Sequence, residues 1–156
     1  MANMELNHNL LKAAREGRYS EMERLIKDGK GGRVDSTDES GWSPLHALTS
    51  ANRNLNIIPT GTKVNVNIFN SNHPSPLYYG VKKGNLKNVR WLLNQGADTD
   101  TVHRNNQSAL DLVRVNNKDM INLLVSFAAD KWIQGKDVTR DAAIHEAIAA
   151  ISSSRP

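Results

Sequence analysis

The sequence predicts an all-α solenoid of stacked helix-turn-helix units joined by short β-hairpin fingers, and three observations carry that expectation. Leu10, Leu45, Leu77 and Leu110 recur at separations of 35, 32 and 33 residues, the self-similarity that marks a repeat architecture. Within that period Pro44 and Pro76 stand where a first helical turn tolerates a missing N–H. Glycines punctuate each unit: Gly17 and Gly84 where two antiparallel helices must turn, and Gly29, Gly61 and Gly96 where a second helix ends in a left-handed cap.

The first unit runs Leu10-Leu11-Lys12-Ala13-Ala14-Arg15-Glu16-Gly17 and closes on Leu25-Ile26-Lys27-Asp28-Gly29. The second opens with Gly41-Trp42-Ser43-Pro44-Leu45-His46, but Gly61 follows Leu45 by only 16 residues, against 19 in the first and third units. With Pro59 just before the cap, its outer helix near Asn54 to Ile58 is expected to be about one turn long and poorly stable. In the third unit Leu86, Val89, Leu92 and Leu93 fall at the i, i+3, i+6, i+7 spacing of one buried helical stripe. The fourth retains Ser108-Ala109-Leu110-Asp111-Leu112, and Ala128 replaces its capping glycine. A left-handed stop is disfavoured there, so the helix is expected to run on through Trp132 and Ile133 toward Gly135. Ala142 to Ile151, with Ile144, Ile148 and Ile151 on one face, reads as a C-terminal capping helix, and Ser152 to Pro156 as a frayed tail.

The stretch Ser75-Pro76-Leu77-Tyr78-Tyr79-Gly80-Val81-Lys82-Lys83-Gly84, followed by Leu92-Leu93-Asn94-Gln95-Gly96-Ala97-Asp98, resembles the ankyrin repeat, with its T-P-L-H opening, glycine turn, paired leucines and closing G-A-D. The resemblance covers about Asn7 to Asp130. It implies a single domain over 1–156, with repeats at about 7–38, 39–69, 70–102 and 103–135 and the capping helix at about 138–152. One unit cannot bury its apolar stripe alone; stacked neighbours do so together.

What the resemblance implies for function is protein binding through the fingers and the exposed residues of the first helices, which in this family line a concave face. The positions that map there are Glu39, Ser40 and Trp42 on one finger, Ser71, Asn72 and Pro74 on the next, and Arg104, Asn105 and Gln107 on a third. Arg15 and Glu16, Ser50 and Ala51, Lys82 and Lys83, and Val115 and Asn116 precede the helix turns. Trp42 is the sharpest candidate, because tryptophan is enriched among binding hot spots; packing against the neighbouring finger is its alternative. Lys82 and Lys83 give the patch a positive centre or form a solvated edge. His46 takes the T-P-L-H histidine position, whose imidazole in the family bonds neighbouring backbone, whereas Tyr78 stands there in the third unit.

Composition narrows the remaining classes. At 38% hydrophobic and 23% charged residues the chain is of globular type, and no apolar run approaches the roughly 20 residues that cross a bilayer. Met1-Ala2-Asn3-Met4-Glu5 does not read as a secretory signal, and zero cysteines suit a reducing interior, so a cytoplasmic location is the expectation. The net charge of +4 is spread from Lys12 to Arg155 among acids, a weak signal for nucleic acid, although Lys82, Lys83, Arg104 and Arg114 keep an anionic-ligand reading open. Asparagine is conspicuous, and reads as compositional bias in polar loops; with eukaryote-style repeats it would also fit a bacterial protein delivered into a host cell.

No P-loop, dinucleotide fingerprint, serine elbow or paired-histidine helix occurs, and Lys30-Gly31-Gly32 lacks the Walker ending. Histidines 8, 46, 73, 103 and 145 come without cysteines, and a His73–His103 metal pair would lack a carboxylate. Asp98 and Asp100 read as turn acceptors rather than an acid/base pair. No enzyme activity, cofactor or metal is therefore expected. The chain is expected to be a monomeric interaction module acting as adaptor, inhibitor or targeting subunit, or alternatively a recognition domain of a larger enzyme.

Overall fold

The structure, a computed structural model, describes residues 2–28, 32–99, 112–113 and 117–133. Six α-helices lie among them: α1 (Ala2–Arg15), α2 (Tyr19–Lys27), α3 (Pro44–Ser50), α4 (Pro76–Lys83), α5 (Leu86–Asn94) and α6 (Lys118–Ile133). A 3₁₀ turn, Leu55–Ile57, takes the place of an outer helix between α3 and α4. No strand forms among the described residues. The fingers are tight turns, closed by Asp38 N–H to Trp42 O and by Asn70 N–H to His73 O. Gly29, Lys30, Gly31, Leu110 and the expected capping helix at 138–152 lie outside the described residues.

Local chemistry sets the helix starts. At α3 the Ser43 hydroxyl accepts from His46 N–H at 3.1 Å while His46 Nδ1 accepts from Ser43 N–H at 3.2 Å, a reciprocal capping box followed by Pro44 in the first turn. At α4 the Ser75 hydroxyl accepts from Tyr78 N–H ahead of Pro76 in the first turn, and Asn85 caps α5 through Asn88 N–H at 3.1 Å. The inner-to-outer turns need a left-handed residue: Gly17 and Gly84 both sit at φ 69°. Between them in the solenoid that role falls to Asn52, at φ 60° the non-glycine residue the sequence did not single out. Asn52 lies 35 residues after Gly17 and 32 before Gly84, the same separations as the leucines.

Packing then joins the units. Leu10, Leu45 and Leu77, with Met22, Leu48, Leu55, Val89, Leu92, Met120 and Leu124, form one buried core running from α1 to α6. Val89, Leu92 and Leu93 are buried as their spacing predicts, with Leu86 and Trp91 packed half-buried beside them. Inner helices α1, α3 and α4 lie side by side, and α6 packs on α5. Helix α6 continues through Trp132 to Ile133, consistent with the missing glycine at Ala128.

Asparagine side chains do much of the tying between units, which the sequence reading as loop composition did not anticipate. Asn7 Oδ1 accepts from Arg33 N–H at 2.7 Å, Asn67 Oδ1 from Asp98 N–H at 2.8 Å, and Asn67 Nδ2 donates to Gly96 O at 3.1 Å. Asn85 Nδ2 donates to Asn52 Oδ1 at 2.8 Å across the turn edge. Asp35 plays the matching part for Asn65 N–H at 2.8 Å. Gly32, in the loop flagged for its glycines, comes so close to Asn7 that a Cβ there would collide with its side chain and backbone.

Candidate partner-binding surface

The surface is built from two finger tips and the last turns of the inner helices. Each tip is organised by a short acceptor side chain. Asp38 Oδ1 takes N–H bonds from Ser40 at 2.9 Å and Trp42 at 3.1 Å, and Asn70 Oδ1 takes them from Asn72 at 2.8 Å and His73 at 2.9 Å. The tips are then joined: Asn70 Nδ2 donates to Ser40 O at 2.9 Å, and the Ser40 hydroxyl meets His73 Nε2 at 3.1 Å. Gly41 is required twice over, by its φ of 89° and because a Cβ would run into the Asn70 amide.

Beneath the tips lies an aromatic cluster. The Trp42 indole stacks on His46, with ring centroids 5.2 Å apart and planes 18° from parallel, lies 4.8 Å from His73, and meets Tyr79 edge-on at 6.0 Å. Trp42 is half-buried, packed against the core and, through His73, against the neighbouring finger. The indole is long enough to lie back over the imidazole of its own repeat and reach the next finger. His46 itself is fully buried, and its Nε2 sits 3.0 Å from Ile68 O and 2.9 Å from Pro74 O. Since Nδ1 accepts from Ser43 N–H, the ring proton resides on Nε2 and is shared between those carbonyls. Burial lowers the His46 pKa to about 4 against the pull of the two carbonyls, so the ring is neutral.

Ser40, His73 and Asp38 have the composition of a hydrolytic triad but not its wiring. The Ser40 hydroxyl donates to Asp38 Oδ1 at 2.7 Å, so toward His73 it acts as an acceptor. A nucleophilic serine needs the reverse, with its proton on the histidine and the carboxylate orienting the far ring nitrogen. The cluster is a clamp between fingers. Burial works against ionisation of Asp38, and the Ser40 hydroxyl with the Trp42 and Ser40 N–H groups outweighs it, holding its pKa below the ordinary value. Among the described residues no group of three or more His, Cys, Asp or Glu side chains is placed to hold a metal ion. Asp98 receives order from Asn67 through its N–H; Asp100, His103 and His145 lie outside the described residues.

The mapped residues divide accordingly. Glu39, Ser40, Ser71 and Asn72 are exposed on the joined tips, and Arg15, Lys82 and Lys83 are exposed at the ends of α1 and α4. Arg104, Asn105, Gln107, Arg114, Val115 and Asn116 lie outside the described residues. Sequence reasoning missed Phe69, which is 48% exposed immediately before the second tip. An aromatic at a loop position flanked by asparagine was the available signal. No described helix is long and apolar enough to cross a membrane.

A family model described as ankyrin repeats, in three copies, matches residues 10–103, more than half of the chain. No curated protein matches it.

Proposed function

The chain belongs to the ankyrin-repeat family, whose members are generally protein–protein interaction modules, and from that premise we propose that it holds a partner protein against the joined finger tips and the exposed ends of its inner helices. One observation carries the reading: the two tips are bonded to each other through Ser40, Asn70 and His73. They therefore present Glu39, Ser71, Asn72 and Phe69 as a fixed array rather than as independent loops. A pre-organised surface loses little side-chain and loop freedom on binding, and Phe69 supplies the apolar contact that such interfaces centre on. The half-buried Trp42 contributes as the floor beneath the tips and by whatever edge it leaves to a partner.

In this reading the protein is an adaptor, inhibitor or targeting subunit without chemistry of its own, working in a reducing cytoplasm, its own or that of a host cell. The fourth repeat at about 103–135 and the capping helix at about 138–152 would complete the solenoid and extend the face by the finger carrying Arg104, Asn105 and Gln107. The test is a pull-down from cell lysate with wild type and with the Glu39→Ala/Phe69→Ala variant, proteins being identified by mass spectrometry. A protein retained by wild type and lost by a variant that melts normally supports the reading. Equal retention by both contradicts it.

A further inference from the structure

The exposed charges are unevenly satisfied. Glu16 is bonded to Arg18 at 2.8 Å, Glu21 to Arg24 at 2.7 Å and Asp35 to Arg33 at 2.8 Å, while Glu23 approaches Arg53 at 3.9 Å. Among the described residues Arg15, Lys82 and Lys83 form no direct ion pair, Arg15 acting on the Asp38 carboxylate only at longer range, and all three are exposed.

Their positions are equivalent in the solenoid. Arg15 and Lys82 each stand two residues before a left-handed turn residue, Gly17 or Gly84, and Ser50 stands two before Asn52. The middle helix α3 carries no acidic or basic residue other than the neutral His46, and offers only Ser50 and Ala51 at this edge. One edge of the inner-helix face is thus positive on both sides of a small-residue gap. Neighbouring packed helices are separated by 8–10 Å, so Arg15 and Lys82 lie about 20 Å apart, a span of roughly six extended residues.

We propose that the partner presents an acidic, extended segment along this edge, its carboxylates against Arg15, Lys82 and Lys83; the proposal rests on the protein-binding reading above. A peptide suits the surface better than nucleic acid. Asp38 and Glu39 on the fingers would oppose a continuous phosphate backbone, whereas a peptide can confine its carboxylates to the helix edge and turn apolar side chains toward Phe69.

Fluorescence anisotropy with a labelled peptide of about ten glutamates, its glutamine counterpart and a single-stranded oligonucleotide of similar charge tests this on the whole chain, at roughly 50 and 250 mM NaCl. The expected result is binding of the glutamate peptide, at least about fivefold weaker at the higher salt, and no binding of the glutamine peptide. The Lys82→Gln/Lys83→Gln variant should lose about tenfold, and Lys118→Gln, an exposed cation on α6, should lose nothing. Equal binding of the glutamine peptide, no effect of Lys82→Gln/Lys83→Gln, or tighter binding of the oligonucleotide overturns the proposal. The glutamate peptide should remain bound by Glu39→Ala/Phe69→Ala, so failure here is separable from failure of the finger surface to hold a partner.

Discussion

Asn88 and Leu55, in consecutive repeats, are joined by a buried bond: Asn88 Oδ1 accepts from Leu55 N–H at 3.1 Å, and the other half of the same amide donates to Arg53 O at 2.8 Å. Asn88 is 2% exposed, so its whole side chain is committed to the short segment that replaces the second outer helix. A single 3₁₀ turn cannot satisfy its own backbone, and the neighbouring repeat does so instead.

Asn88→Ala should therefore destabilise the protein by about 2 kcal/mol, because it leaves a buried donor and acceptor unpaired. Urea denaturation measures the loss. By hydrogen exchange, the segment Asn52 to Thr62 should be the fastest of those between α3 and α5, apart from the bonded N–H groups of Arg53, Leu55 and Ile58, and the variant should abolish the protection of Leu55. Uniform protection from Asn52 through Asn94 would contradict the account.

Asn52→Ala should cost about 1–2 kcal/mol, since alanine is strained at φ 60° and cannot accept from Asn85 Nδ2. Asn52→Gly relieves the strain while losing the bond, and should lie within about 0.5 kcal/mol of wild type. Thermal melts of both variants separate the two contributions.

Stability should fall as the pH drops from 6.5 to 4. The His46 imidazole is neutral in both states above its ordinary pKa of 6.5, so its burial costs nothing there; below it the unfolded chain takes up a proton that the folded chain, with a pKa of about 4, refuses. The loss reaches about 3 kcal/mol at the acid end of the window. Asp35 acts lower still. Burial opposes its ionisation, the Arg33 guanidinium and the Asn65 N–H outweigh that, and the net depressed pKa makes its contribution disappear only as pH falls below 3.8. His46→Gln keeps a capping-box acceptor and should flatten the slope between pH 6.5 and 4 while lowering stability throughout. An unchanged slope would show that other groups set it.

Trp42→Ala should cost about 1–3 kcal/mol of stability through lost stacking on His46 and His73, less than the roughly 2–5 kcal/mol expected for Leu45→Ala in the core. Urea melts of the two variants, with titration of any protein retained in the pull-down, divide packing from binding. If Trp42→Ala unfolds as readily as Leu45→Ala, the indole is core and its part in recognition loses support.

The repeat fold was determined by the sequence alone. Leucine spacing, prolines at helix starts and turn glycines are local requirements of each unit, and each is read within a few residues. The truncated second outer helix was legible for the same reason, from a shortened interval and Pro59. The pairing of the fingers, the orientation of Trp42, the left-handed Asn52 and the committed amide of Asn88 were decided only by tertiary structure. These depend on which atoms of residues about 33 positions apart come within bonding distance, and spacing constrains which residues align without showing how their side chains turn. An asparagine that merely fills a loop and one that joins two repeats are the same letter until the solenoid is stacked.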